Sequence, residues 1–224
     1  KLGRFNVGIT AAIETDRCNP EWIDACNRMD LIIVPSEHAK RSLTVLGRTP
    51  SVPVVVVPEA FCDAISSEAS VKLDDFSTKF NFLIFGQITG NNPDTDRKNT
   101  FYTVKWLCET FKDDRDVGLV IKTNAGRNTK IDKQLVTNLF KQLTSEVRKG
   151  PYPRVHLVHG EMTDNEVAAL YRHHQIKALV ALTRGEGFGL PILEAAAAGL
   201  PVITTGWSGH MDFMRAGKFT EVAY

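Results

Sequence analysis

Short runs of β-branched and apolar residues alternate with helical patterns along almost the whole chain, and this alternation restricts the fold more than any other feature. The runs are FNVGIT (5–10), DLIIVP (30–35), VPVVVVP (52–58), FNFLIFG (80–86), VGLVIKT (117–123), RVHLVHG (154–160), ALVALT (178–183) and PVITT (201–205). Helical stretches lie between them near 20–28, 36–46, 98–112, 131–149, 163–174 and 190–199. Ser36 marks one helix start, and Thr163 with Glu166 three residues on has capping-box spacing. Strands that read as continuous apolar runs are buried on both faces, so the pattern predicts a parallel sheet in an α/β fold. Three strands and two helices precede Pro58–Phe61, too few for a complete doubly wound domain. The boundary is therefore set there: 59–224 is most of one Rossmann-like domain and 1–58 the trailing part of another.

Within this frame Glu194 is out of place. It follows Leu190, Pro191, Ile192 and Leu193 and precedes four alanines, and a carboxylate in such company needs polar compensation. The loop RGEGFG (184–189) leaves the strand ALVALT, and Pro191 suits the first turn of a helix. In an open parallel sheet this is the carboxyl-end position where ligands bind. The amides of Gly187, Phe188, Gly189 and Leu190 are placed to meet an anion, aided by the helix dipole. Glu194, a turn deeper, repels phosphate but can accept hydrogen bonds from vicinal hydroxyls such as those of a ribose. Glu186, in the loop, is free to face another part of the same ligand. A molecule with hydroxyls at both ends and phosphates between is a nucleotide sugar. The plainer alternative has Glu194 capping helix amides or meeting a buried arginine, with Glu186 a solvated loop residue.

EGFGLPILE (186–194) has the Glu-x7-Glu spacing, and with AAAAG, LPVITT and GWSGHMDFM (206–214) it resembles the retaining GT-B glycosyltransferases of the "glycosyl transferases group 1" superfamily. FLIFGQITGNNPDTDRKNT (82–100) is similar to the family's first donor-domain strand and basic loop. VGLVIKT is similar to its second strand, and IETDRCNPEWIDACNRMDLIIVPSEHAKRSLTVLG (13–47) to the end of its acceptor domain. The resemblance implies an α/β fold of GT-B type: a nearly complete Rossmann-like donor domain at 59–224 and the C-terminal portion of the acceptor domain at 1–58. It further implies that the acceptor domain's first strands, with their glycine-rich loop, are missing.

By position, the resemblance implies that Glu194 binds the ribose hydroxyls and Glu186 contacts the donor sugar. The backbone of Gly187, Phe188, Gly189 and Leu190 meets phosphate and sugar. Lys98, with Arg97 beside it, neutralises the diphosphate leaving group, so no metal or other cofactor is required. The implied substrate is a UDP- or GDP-linked sugar, its base contacted around Gly160–Thr163. The acceptor is a sugar, a lipid-linked sugar or a protein. Gln87 departs from the family, which commonly has an arginine there; Arg97 and Arg184 are the candidates to replace it. EAFCD (59–63) departs from the usual glycine-containing hinge. Retention with the leaving phosphate taking the acceptor's proton is the implied outcome, so neither glutamate is assigned as a hydrolase-type nucleophile or general acid–base. A non-catalytic nucleotide-sugar-binding module and a sugar-nucleotide epimerase are the competing readings.

The remaining composition narrows the partners. A net charge of +1 gives no bulk attraction for nucleic acid. Cys18, Cys26, Cys62 and Cys108 have no CxxC spacing and are expected as free thiols in a reducing, cytoplasmic setting. The His156/His159 and His173/His174 pairs fit a polar surface or strand face better than a metal. No apolar run reaches the roughly 20 residues of a membrane helix, which leaves peripheral membrane contact open. The chain opens on Lys1 rather than Met, so it is expected to be a fragment with little transferase activity alone.

Overall fold

A computed structural model describes residues 3–12, 14–45, 47–67, 70–87, 92–124 and 126–224. Lys1, Ile13 at the head of the IETDR segment, position 46 of the second helical pattern and residues 88–91 of the polar loop lie outside them.

Two parallel sheets form. The first holds β1 (Val7–Ile9), β2 (Leu31–Val34) and β3 (Val54–Val56) in that order, with α1 (Pro20–Cys26) and α2 (Glu37–Ser42) between them. Ser36 caps α2, accepting the Ala39 amide at 3.0 Å. The register of β1, β2 and β3 places Val7, Ile9, Leu31, Ile33 and Val55 on one face. On the other face, Ile32 and Val34 bury against Ile23, Ala39 and Leu43 of the helices and their flanks. The expectation of strands buried on both faces therefore fails here. Both helices cover one face, and Ile9 is 79% and Val55 44% exposed on the other.

The second sheet obeys the expectation in its four inner strands, while its two edge strands are only partly buried or exposed. It comprises β4 (Phe80–Phe85), β5 (Val117–Thr123), β6 (Arg154–His159), β7 (Ile176–Ala181), β8 (Val202–Thr205) and β9 (Thr220–Val222), ordered β6-β5-β4-β7-β8-β9 and parallel throughout. Leu83, Val120, Leu179 and Val202 point into a core shared with α3 (Asp63–Ser66), α6 (Asp164–Tyr171), α7 (Leu190–Ala197) and α8 (Met211–Met214). The alternate residues Phe82, Ile84, Leu119, Ile121 and Val180 face α4 (Thr100–Thr110) and α5 (Lys130–Val147). One strand thus feeds two cores through its period-2 pattern, which is why its run is apolar without a break. Thr163 and Glu166 form the expected capping box on α6. The elements β9, α3 and α8, of three or four residues each, are too short to show a period in the sequence.

The strand order sets where a ligand fits. From β4 the chain winds outward through β5 and β6, then α6 carries it back to β7 on the other side of β4. Connections diverge at the carboxyl ends of β4 and β7, and such a switch point leaves a crevice.

Candidate nucleotide-sugar site

A cavity of about 480 Å³ opens at that switch point. Gly86 and Gln87 follow β4 into it, Lys122 to Asn124 end β5 in it, and Pro191 and Glu194 enter from α7. Asp96, Arg97 and Lys98 close it from the polar loop, and Met162 and Asp164 from the start of α6.

The polar loop is held by its own buried acid. Asp96 accepts the amides of Lys98 (3.1 Å) and Thr100 (2.8 Å), while the Asn99 side chain donates to Leu182 O at 2.9 Å. The Arg184 amide donates to Arg97 O at 2.9 Å. These bonds fix Arg97 and Lys98 beside the loop after β7. There Lys98 Nζ lies 2.7 Å and Arg97 Nη1 3.2 Å from the two oxygens of Glu186, whose side chain is 8% exposed. Arg97 Nε also meets Glu14 at 2.7 Å. Glu186 is therefore no solvated loop residue; two cations compensate its burial.

Glu194 is half-buried on the cavity wall. Burial raises its pKa above the ordinary carboxylate range, and a hydrogen bond from Tyr171, at 2.9 Å, offsets part of that rise. Tyr171 is buried and stacks on Phe85 with ring centroids 5.4 Å apart. Among the described residues Glu194 thus neither caps the helix nor meets an arginine. Tyr171→Phe is expected to cost about 1–3 kcal/mol of stability, because an ionised, partly buried carboxylate loses its donor. The loss should be full at pH above the Glu194 pKa and shrink as acid neutralises it; urea melts across that range check the trend.

Gly187, Phe188, Gly189 and Leu190 do not line the cavity. They sit between it and the first sheet, where Ser36 Oγ donates to Gly187 O and Phe188 packs on Phe213. Gly189 has φ +96°, and a side chain there would meet His210 Cβ at 2.9 Å. Among the described residues, no hydrogen bond from these four amides is formed within the protein. Of the two arginines offered in place of an arginine at position 87, only Arg97 lines the cavity. Arg184 instead turns to Asp94 O and lies over the Tyr102 ring, so it is no substitute.

Sequence reasoning missed Tyr171, Glu14 and the Ser208–His210 pair. Ser208 Oγ accepts the Glu186 amide at 2.9 Å, and His210, buried and held neutral, meets Thr205 O through Nε2 at 2.8 Å. A serine and a histidine in GWSGHMDFM were the available signal.

Outside the cavity, the four cysteines are free. The ligand atoms of Asp75, His173 and His174 lie within 4.8 Å of one another. His173 Nδ1, however, accepts the Gln175 amide at 3.2 Å, so its neutral ring carries the proton on Nε2, where a metal would need a lone pair. Among the described residues no helix is long and apolar enough to cross a membrane.

Comparison with solved structures finds similar folds at low identity. HepE of Anabaena, in complex with UDP and glucose, aligns at TM-score 0.68 with 16% identity, covering 97% of this chain and 57% of that one. A structure described as trehalose-6-phosphate from E. coli bound with UDP-2-fluoro glucose aligns at 0.67 and 10%, covering 97% and 56%. The pneumococcal O-GlcNAc transferase GtfA, in complex with UDP and GlcNAc, aligns at 0.56 and 18%, covering 83% and 32%. The chain thus spans at most 57% of the length of these three structures. No curated protein sequence matches. The profile of the family described as "Glycosyl transferases group 1" matches residues 107–223. The fold is that of the Rossmann-like domains of GT-B enzymes, and the chain belongs to the glycosyl transferases group 1 family.

Proposed function

We propose that the chain carries the donor side of a glycosyltransferase that moves a sugar from a UDP- or GDP-linked donor to an acceptor with retention of anomeric configuration. In this reading 59–224 is the donor-binding domain and 1–58 the end of the acceptor domain. Glu194 accepts hydrogen bonds from the ribose diol, oriented by Tyr171. Lys98 and Arg97 balance charge on the departing diphosphate. The Glu186 carboxylate, paired to Lys98 and Arg97, and the unengaged amides of Gly187 to Leu190, just before the cavity-lining Pro191, meet the phosphate and sugar where these extend past the cavity. Stabilisation of the leaving group then rests on fixed cations and dipoles, with no step that calls for a metal.

The observation that carries this reading is a cavity at the switch point lined by Arg97 and Lys98 and, from α7, by the Glu194 carboxylate that Tyr171 holds. One feature favours the binding-module alternative: Glu186 and Glu14 already neutralise Lys98 and Arg97, and a diphosphate must displace part of that network. A thermal-shift screen across nucleoside diphosphates tests the proposal. A ligand at 100 times its Kd should stabilise by about 2.7 kcal/mol, visible as a rise in Tm. No shift with any of them would remove the donor site. Donor hydrolysis or transfer by the longer protein would then exclude the binding-module alternative.

A further inference from the structure

One buried cation in the cavity has no part in the reading above. Lys122 lies at the end of β5 and is 6% exposed, yet it lines the open cavity. Its Nζ donates to Asn124 Oδ1 and to Gly160 O, both at 2.5 Å. Among the described residues no acidic side chain pairs with it. An ammonium has three donor hydrogens, so one remains for a ligand. Gly160 O in turn has a second lone pair.

Its place in the sheet separates it from the diphosphate cations. The β4–β5 register pairs Lys122 with Phe85, so both side chains leave the same face of the sheet. Phe85 stacks on Tyr171, which holds Glu194. Arg97 and Lys98 come from the loop before α4, the helix on the opposite face. Lys122 therefore belongs with Glu194 and the loop after β6, at the nucleoside end of the cavity.

We propose that Lys122 reads the nucleobase, a role that rests on the donor-site reading above. Uracil and guanine carry an exocyclic oxygen where cytosine and adenine carry an amino group. The free Lys122 hydrogen meets that oxygen, and Gly160 O accepts the adjacent ring N–H. An amino group at the same position would set donor against donor, so the pocket selects an oxo-base nucleotide.

Calorimetry with UDP, GDP, CDP and ADP tests this on the wild type and on Lys122→Met and Glu194→Ala. The wild type should bind UDP more tightly than CDP, or GDP more tightly than ADP, by about 10-fold, since one base contact is worth about 1–3 kcal/mol. Lys122→Met should erase that preference while CDP and ADP affinities stay within about twofold. Equal wild-type affinities for both members of each pair would overturn the proposal without any variant. So would a Lys122→Met protein that weakens all four ligands alike, the mark of a phosphate contact, or one that keeps the preference. If no diphosphate binds, or Glu194→Ala changes nothing, the donor-site reading falls as well. If Glu194→Ala weakens binding while the base preference ignores Lys122, the base assignment alone falls.

Discussion

Glu194→Ala is expected to weaken binding of the preferred nucleoside diphosphate about 100-fold. Two hydrogen bonds from a diol to an ionised carboxylate contribute about 1.5 kcal/mol each, and about 1.4 kcal/mol is one decade of affinity. The carboxylate enters the cavity already oriented by Tyr171, so little ordering cost is set against this gain. Glu194→Gln keeps an acceptor without the charge and should fall between. The pH dependence has a defined sign. Burial raises the pKa, and the ionised form accepts the diol, so affinity should hold at neutral pH and decline on acidification from above the ordinary carboxylate range. Isothermal titration at several pH values reads both effects, and a Glu194→Ala protein with wild-type affinity would end the ribose assignment.

Lys98→Met is expected to act on turnover instead. In any protein that carries this chain and transfers the sugar, kcat should drop about 10²–10³-fold, the range seen when one preorganised donor to developing negative charge is removed. The ground-state effect should be smaller, because Lys98 is already engaged by Glu186 at 2.7 Å and must exchange that partner for the diphosphate. The extra charge on the leaving group tips the exchange only as the glycosidic bond breaks. Glu186→Ala should also lower turnover more than binding, since it removes both the proposed sugar contact and the group that aims Lys98. Steady-state kinetics beside equilibrium titration separate the two effects. A Lys98→Met enzyme with unchanged kcat and a raised KM would place the lysine in ground-state binding only.

The sequence made the inner strands of the second sheet legible because β4, β5 and β7 run six or seven residues with apolar side chains toward both faces. β5, buried along its whole length, is the clearest case. The first sheet misled for a reason visible in its register. Ile9 and Val55 are as apolar as core residues, and nothing local says that only one face is covered. The same limit applied at the site. Glu186 and Glu194 stood out from their neighbours in sequence, but their partners did not. Tyr171 is 23 residues from Glu194, and Lys98 is 88 from Glu186. Arg184 was a plausible phosphate anchor by proximity, until its guanidinium proved to be held by Asp94 and Tyr102.

The segments flanking the first sheet touch the loops of the second through polar bonds, Glu14 to Arg97, Ser36 to Gly187 O and the Glu37 amide to Asp212, beside one ring contact between His38 and Trp207. A clasp of this kind parts far more readily than a greasy seam, because water can satisfy each half as soon as it separates. Counterions weaken the charged members further. Ionic strength should accordingly loosen the seam between the two sheets, with the Arg97–Glu14 bridge as the first latch to slip, freeing Arg97 beside the cavity.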